Sequence, residues 1–393
     1  RVFQQDRICA DRGWRLVAPM GGQVFGNAFD KKYGIAAQSV KSDGKKIHHT
    51  CPSLFLSEPG KKLIDQAVRK ILDKTKLKKG DVALFDYEPW QALDWCYCPK
   101  CLERFAAFSG VKATPREIKK KYWREWARFR VKDSNAILKC GADAVKKYKP
   151  EIKVADYDYP IDFRKDDLLR RFFYIPKDSR LSDKYLDIHY LSYYYYHGKR
   201  GFEFLDVNAK KLKKPFVMFS LLARYADPRQ TSYARTIDEC MTPLQFRQAM
   251  LNGASAGSIG HAIFPGIKID GRYFVSIDTA MREIAAVEDA YRTGQRADDK
   301  VSVKGEWLIN NPEEKVADFL CYRVHRSGDK TVITIFNFSR KAKIKCQIKL
   351  LFKSGDISIT DVSTGKNVKT AASAFDAVIP PSGVCIFSVE PKK

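Results

Sequence analysis

The stretch Val82-Ala-Leu-Phe-Asp-Tyr-Glu-Pro-Trp90 constrains the fold of this chain more than any other. An apolar run that ends in two acidic residues is typical of a buried parallel strand that brings carboxylates to the C-terminal edge of a sheet. Because side chains alternate along a strand, Asp86 and Glu88 are expected to point to one side, and Phe85 and Tyr87 to the other. The strand therefore offers a carboxylate pair. Alternatively, Asp86 caps the following turn and Glu88 forms a structural ion pair.

Helix and strand patterns alternate along residues 1–300, which predicts a parallel sheet with right-handed crossovers. Six strands are expected, near Leu16, Leu84, Val154, Ile188, Val217 and Ile259. This α/β pattern fits a (β/α)8 TIM-type barrel that is N-terminally incomplete, with its first two strands expected before Arg1. A doubly wound open sheet is the alternative, but no G-x-G-x-x-G motif follows any strand.

The pattern changes in residues 301–393 to short alternating runs separated by turns. The clearest runs are Lys330–Asn337, Ile344–Leu350, Ile357–Thr360 and Val384–Ser388. Strands of this kind, without helical periodicity between them, predict a separate C-terminal domain built as an antiparallel β-sandwich.

Helix ends are also marked in the sequence. A helix is predicted from about Glu58 to Lys74 by its apolar periodicity. The pairs Thr114-Pro115 and Thr242-Pro243 have the residue types of an N-cap followed by a first helical turn. The second of these helices is expected to end at Gly253.

The chain is strongly basic, since 71 Lys and Arg against 46 Asp and Glu give a net charge of +25. The excess lies in runs such as Lys74–Lys79 and Lys210–Lys214, which solvated helix ends and loops explain best. An anionic glycan, sulfated or uronic, would be attracted to such a surface. A polyanion-binding surface protein is a further possibility that rests on charge alone. No nucleic-acid motif accompanies the charge.

No run of eighteen or more apolar residues occurs, so no membrane span is expected. The chain begins at Arg1 without an initiator Met or an apolar leader, so it is expected to start after processing or to be part of a longer protein. The sequence does not fix the compartment, although an extracellular or periplasmic one is favoured. An oligomer is possible, and no organic cofactor is expected.

The motif Cys96-x-Cys98-x-x-Cys101 places three thiols too close in sequence for ordinary disulfides. A fourth ligand would complete a tetrahedral zinc site, and Cys51 is the best candidate because it follows the preceding strand as the cluster follows its own. The prediction is a structural zinc ion; reduced thiols in a tight loop are the alternative. The other six cysteines are expected to be free thiols, mostly buried: Cys9, Cys140, Cys240, Cys321, Cys346 and Cys385.

This layout resembles that of the glycoside hydrolase family 42 β-galactosidases and related barrels. In those enzymes a catalytic acid ends the fourth strand, a C-x-C-x-x-C zinc loop follows closely, and the fourth cysteine lies upstream. Here Glu88 precedes Cys96 by eight positions and Cys51 precedes it by 45. The resemblance covers residues 6–265, is specific only in the cysteine loop, and implies that Glu88 is the general acid.

Two positions depart from the family pattern. The family has Asn immediately before the acid, where this chain has Tyr87. The nucleophilic Glu expected near the end of strand seven is unmatched, because Phe219 follows Met218 there. The resemblance therefore does not carry β-galactosidase activity over to this chain.

The Asp-x-Glu pattern and the Tyr-rich run at residues 193–196 also resemble chitinase-like barrels. In that resemblance Asp86 would orient an N-acetyl group of the substrate, and Tyr193 or Tyr195 would assist. The fuller D-x-x-D-x-D-x-E motif of those barrels is absent.

Together these patterns predict a glycoside hydrolase that cleaves O-glycosidic bonds, with Glu88 as general acid/base and a partner among Asp86, Asp156 and Asp158. His189 and His261 are expected to be core residues rather than ligands. The rival hypothesis is a non-catalytic carbohydrate-binding or structural barrel with the same fold and zinc site. Substrate contacts are expected from aromatic residues at strand ends and from one Arg: Trp90, Tyr157, Tyr193, Tyr195 and Arg224.

Overall fold

The structure is a computed structural model that describes residues 15–87, 96–158, 176–192, 198–221, 241–264, 271–308, 315–352, 356–368 and 373–392. The strands are β1 Val17–Pro19, β2 Gln38–Val40, β3 Lys46–Thr50, β4 Val82–Phe85, β5 Lys153–Asp158, β6 Ile188–Ser192, β7 Phe216–Leu221, β8 His261–Phe264, β9 Gln295–Arg296, β10 Val301–Trp307, β11 Leu320–Ser327, β12 Lys330–Asn337, β13 Ile344–Leu350, β14 Ile357–Asp361, β15 Lys366–Asn367, β16 Ala374–Ile379 and β17 Val384–Pro391. The α-helices are Ala28–Tyr33, Pro52–Phe55, Glu58–Thr75, Pro99–Ser109, Pro115–Lys120, Trp123–Tyr148, Ser179–Ser182, Gly198–Lys211, Pro243–Ser255 and Gly271–Thr293.

The chain forms two compact units, the first of which comprises residues 1–191 and 210–215. Its centre is a parallel sheet in the order β1-β4-β5-β6. The helices Glu58–Thr75 and Trp123–Tyr148 bury their apolar stripes against this sheet and against each other. Strand β4 lies between β1 and β5, and the side chains of Ala83 and Phe85 on it are fully buried in that core.

The second unit comprises residues 192–209 and 216–393. It contains the parallel pair β7 and β8 and two antiparallel sheets, with strand orders β10-β13-β16 and β15-β14-β17-β12-β11-β9. Alternate residues of β13 are buried, and they share one apolar core with β11 and β12 of the other sheet. Two antiparallel sheets that enclose one core form a β-sandwich, as the sequence predicts.

Each of the six predicted body strands corresponds to an observed parallel strand, although β8 begins two residues after Ile259. The fold class is therefore α/β, with a C-terminal antiparallel part. Within the described residues, no helix is both long and apolar enough to cross a bilayer.

The predicted helix starts are confirmed, because Thr114 and Thr242 each cap a helix through a complete capping box. The expectation that Gly253 ends its helix is wrong, since that helix continues to Ser255. A Cβ at Gly253 would lie 2.9 Å from the sulfur of Met218 in β7. This glycine therefore permits a close approach of helix and strand rather than a helix stop.

Because His325 of β11 is buried, we expect the free energy of unfolding to fall in acid. Burial, reinforced by the charges of Arg296 and Arg323, lowers the pKa of His325 from 6.5 to about 4. Between these values the unfolded chain binds more protons than the folded chain, so the free energy of unfolding falls as the pH drops from 6.5 to 4. The effect of this single group is up to about 3 kcal/mol. Urea midpoints at pH 7.5 and 5 should differ less in His325→Phe than in the wild-type protein.

The exposed His48 provides the matched control for this prediction. His48→Phe should keep the full wild-type difference between the two pH values. An unchanged pH difference in His325→Phe would show that the acid sensitivity arises elsewhere.

Candidate functional site

The end of β4 is held against the loop that follows β1. The amide of Met20 donates to the carbonyl of Leu84 at 2.8 Å, and Gly21 packs directly on the backbone of Asp86. A Cβ at Gly21 would lie 2.3 Å from the carbonyl oxygen of Asp86, a distance that no side chain can occupy. The glycine therefore lets the acid-bearing segment sit close to the neighbouring strand end.

Gly21→Ala should displace this segment and lower the free energy of unfolding by about 1–3 kcal/mol, because backbone atoms cannot move aside as a flexible side chain would. Gly22→Ala is the matched control, since nothing lies within 4 Å of the added Cβ at that position. Urea denaturation of the two variants should show a loss in the first and nearly none in the second. Equal stability of both variants would contradict the packing argument.

The strand register separates the predicted acids onto two faces of the sheet. Phe85 is paired with Asp156, so these two side chains project from the same face. That face packs on the helix Trp123–Tyr148, because a Cβ at Gly141 would lie 2.9 Å from the ring of Phe85. Asp156 therefore lies on the helix-facing side of the sheet. Asp158 lies on the same side, because it is two residues further along the strand.

Tyr185 supports this placement. Its hydroxyl donates to the carbonyl of Asn135, which belongs to the same long helix, at 3.0 Å. Burial raises the pKa of Tyr185, and the charges of Asp156 and Asp158 add to the rise. Both carboxylates thus lie close to the helical layer, where they are almost fully buried.

Asp86 follows Phe85 and, by the same alternation, projects from the opposite face of the sheet. The residue at the corresponding level of β5 on that face is Tyr157, which is buried and is paired with Tyr190 of β6. Asp86 itself is exposed. Partial desolvation by the surrounding protein atoms nevertheless raises the pKa of Asp86. The charge of Lys177 opposes this rise.

Lys177 is a buried cation that the sequence analysis missed. Its Nζ lies 2.6 Å from Oδ2 of Asp156 and donates to the carbonyl oxygens of Tyr87 and Tyr157, at 2.8 and 2.5 Å. Burial raises the pKa of Asp156 well above its ordinary range, against the pull of Lys177. No periodic pattern in the sequence singles out this lysine.

His189 of β6 is a core residue within the first unit, as expected. It lies in register with Asp156, and its Nε2 is 3.0 Å from Oδ1 of Asp183. Asp183 also accepts hydrogen bonds from the amides of Lys213 and Lys214. Burial lowers the pKa of His189, which is typical of a neutral structural imidazole. In the second unit, His261 packs edge-on against Phe246, and burial lowers its pKa to about 4.

Several predicted site residues lie outside the described part of the chain. They are Glu88, Trp90, Tyr193, Tyr195 and Arg224. Of the sequence-predicted acids and aromatic contacts, the structure thus places Asp86, Asp156, Asp158 and Tyr157. Their roles remain predictions.

The four predicted metal ligands come together in the first unit. The sulfur atoms of Cys51, Cys96, Cys98 and Cys101 all lie within 4.8 Å of one another. Cys51 Sγ is 3.3, 3.6 and 3.7 Å from the sulfurs of Cys96, Cys98 and Cys101. A tetrahedral ZnS4 site with bonds of about 2.3 Å has sulfur–sulfur edges of about 3.8 Å. A disulfide needs about 2.0 Å, so the spacing fits a metal site better.

Local structure explains this convergence. Cys51 and Cys98 are each the N-cap of a helix whose first residue is Pro. Cys96 has a φ of 39°, in the left-handed region that residues other than glycine rarely adopt. Its carbonyl accepts a hydrogen bond from Arg130 at 2.5 Å, which helps to hold that conformation. Hydrogen bonds from the Cys51, Cys96 and Cys98 thiols lower the pKa of Cys101, and the charge of Arg130 adds to this.

Charged side chains lie around the four sulfur atoms. Arg130 is fully buried, lies 3.8 Å from Cys101 Sγ and donates to Asp133 at 2.8 Å. Arg104 also pairs with Asp133 and donates to Ser53 Oγ, which is 3.0 Å from Cys101 Sγ. Four thiolates around a divalent cation carry a net charge of about −2, which these guanidinium groups complement. The spacing Arg130-x-x-Asp133 places both residues on one face of the helix, and this spacing can be read from the sequence.

No protein-family model and no curated protein sequence matches this chain. Solved structures do match in fold. The β-galactosidase from Bacillus circulans sp. alkalophilus aligns over 99% of this chain and 91% of its own, with a TM-score of 0.64 and 10% identity. A catalytic mutant of Gan42B, a GH42 β-galactosidase from G. stearothermophilus, aligns over the same shares with a TM-score of 0.62 and 9% identity. The α-galactosidase I from Mortierella vinacea covers 100% of this chain and 80% of its own, with a TM-score of 0.52 and 10% identity. The fold of this chain is therefore similar to that of these two β-galactosidases and, less closely, to that of the α-galactosidase.

Proposed function

We propose that this protein is a glycoside hydrolase that cleaves O-glycosidic bonds, with Glu88 as general acid/base. The observation that carries the proposal is the end of β4. In a chain with a β-galactosidase-like fold, an exposed Asp86 follows this strand, and in the sequence Glu88 comes two residues later and Cys96, Cys98 and Cys101 of the cysteine cluster come after it. Barrel enzymes place their chemistry at this edge of the sheet.

We assign the accompanying carboxylate to Asp86 rather than to Asp156 or Asp158. The two acids of β5 are buried on the helix-facing side, and Asp156 is paired with Lys177. Asp86 is exposed on the other face, and alternation along an extended segment would direct Glu88 to the same side. A pair of carboxyl groups facing one cleft is what glycoside hydrolysis requires. Tyr157, on the face of Asp86, is the proposed sugar contact among the described residues.

We further propose that the metal of the cysteine cluster is zinc and that its role is structural. Four thiolates leave no coordination position for substrate or water, which is the pattern of structural zinc sites. Zinc there would tie the N-termini of two helices to Cys96.

A broad panel of glycosides tests the proposed activity. It should include α- and β-galactosides, because the similar structures include β-galactosidases and an α-galactosidase, and sulfated or uronic glycans, because of the net charge of +25. The expected result is release of sugar from at least one neutral or anionic member. No release from any member by folded, zinc-loaded protein would refute the proposal.

One observation favours a second candidate function, a non-catalytic carbohydrate-binding barrel. The nucleophilic Glu that the family resemblance implies near the end of strand seven is unmatched, and Phe219 occupies that part of β7. Binding of a glycan without its hydrolysis, measured by calorimetry on the same panel, would support this alternative.

A further inference from the structure

We propose that Lys177 is a positioning residue, which fixes the peptide unit that leads into Glu88 by bridging the ends of β4 and β5. The inference rests on the proposed glycosidase function of Glu88. It adds a residue from outside the predicted site, and it assigns to the buried Lys177–Asp156 pair a role in the geometry of the acid.

The bridge is defined by three distances. Nζ of Lys177 donates to the carbonyl oxygen of Tyr87 at 2.8 Å and to that of Tyr157 at 2.5 Å, and it lies 2.6 Å from Oδ2 of Asp156. The carbonyl of Tyr87 belongs to the peptide bond between Tyr87 and Glu88. A donor on that oxygen therefore restrains the orientation of the peptide plane from which Glu88 begins.

This restraint is needed because regular pairing stops earlier. The strand β4 ends at Phe85, and its last partner in β5 is Asp156. Within the described residues, neither Asp86 nor Tyr87 is paired in the sheet ladder. Lys177 supplies a charge-assisted hydrogen bond to the carbonyl of Tyr87, and such bonds are shorter and stronger than neutral ones.

Burial makes the bridge rigid. Lys177 is 4% exposed and Asp156 is 1% exposed, so neither charge is screened by water. Asp156 thus acts as the counter-ion that keeps the lysine at the strand ends. The charge of Lys177 also reaches Asp86, which follows β4, and His189 on β6, and Asp158 lies two residues from Asp156 on β5. A displacement of about 1 Å in a catalytic group can reduce a rate about 100-fold, so a bridge of this kind matters for catalysis.

The informative variant is Lys177→Met/Asp156→Leu. Lys177→Met alone leaves a buried carboxylate without its partner and can fail to fold, whereas replacement of both charges by apolar groups is often neutral for stability. The matched control is Lys139→Met/Asp143→Leu, an exposed ion pair of the same residue types with Nζ and Oδ2 2.6 Å apart. Thermal unfolding of both double variants verifies that each is folded.

Two glycosides with the same sugar are then compared, one with an alkyl leaving group and one with dinitrophenol. A misplaced general acid slows only the leaving group that needs a proton. We therefore expect kcat/KM of the Lys177→Met/Asp156→Leu variant to fall roughly 10- to 100-fold on the alkyl glycoside and less than about 3-fold on the other, because kcat/KM reports the step in which the leaving group departs. A purely structural defect reduces both rates equally, because it lowers the fraction of active protein. Equal losses, or no loss, in a folded variant would overturn the positioning role.

Hydrogen exchange gives a readout that does not depend on activity. Peptides that contain Tyr87 and Glu88 should exchange faster in the Lys177→Met/Asp156→Leu variant, while peptides from β12 should not change. If the wild-type protein hydrolyses nothing, the glycosidase proposal fails and the exchange data still decide whether Lys177 restrains this segment. Unchanged exchange near Tyr87 would overturn the restraint itself.

Discussion

Replacement of Glu88 by Gln is expected to lower kcat/KM on alkyl glycosides by about 10²–10⁴-fold. Gln has nearly the same shape and retains hydrogen bonding, but it has no proton to give to the departing oxygen. Dinitrophenolate departs without protonation, so the first step on a dinitrophenyl glycoside should be almost unaffected by the change. Values of kcat/KM on the two substrates measure this difference, because kcat/KM reports the step in which the leaving group departs.

The matched control is Glu103→Gln, which alters an exposed glutamate in the helix Pro99–Ser109. This variant should retain the rates of the wild-type protein on both substrates. Equal losses on both substrates in Glu88→Gln would assign the residue to another role, and unchanged rates would remove it from the chemistry.

Loss of the metal from the cysteine cluster is expected to have the largest effect on stability. Cys101→Ser should abolish stoichiometric zinc and lower the free energy of unfolding by about 3 kcal/mol or more, since structural zinc in small peptides contributes about 10–16 kcal/mol. The cluster joins the starts of two helices, and without metal it leaves four sulfurs within 4.8 Å of one another in a largely buried pocket. Metal analysis and urea denaturation under reducing conditions measure both effects.

Cys140→Ser is the matched control, because Cys140 is a free cysteine in the helix Trp123–Tyr148 and is not part of the cluster. It should keep one zinc ion per chain. Wild-type protein that is kept reduced and contains no zinc would contradict the assignment. A disulfide within the cluster, found by mass spectrometry in the freshly purified protein, would do so as well.

Local patterns were sufficient to predict the main elements. Capping pairs such as Thr114-Pro115 act within one helical turn, and the apolar run before Asp86 marks a buried strand wherever that strand lies in the sheet. The grouping of Cys96, Cys98 and Cys101 was also predictable, because these residues are close together in the sequence. The strand before Cys51, however, is β3, which pairs antiparallel with β2 and does not belong to the parallel sheet.

The face on which each acid lies could not be predicted in the same way. It depends on the pairing of Phe85 with Asp156, and a shift of one residue would exchange the faces of Asp156 and Tyr157. Such a register is set by long-range packing, here by the ring of Phe85 against Gly141. The role of Lys177 could not be predicted for the same reason, because its hydrogen-bond partners lie 20 and 90 positions away in the sequence.

Sugar release from the best substrate of the panel tests the proposed function most directly, measured on three proteins: the wild type, Glu88→Gln and Glu103→Gln. We expect turnover by the wild type and Glu103→Gln, and loss of turnover on alkyl glycosides in Glu88→Gln alone. Glycan binding without turnover by all three would contradict the proposed function, and would show that this fold serves recognition instead of hydrolysis.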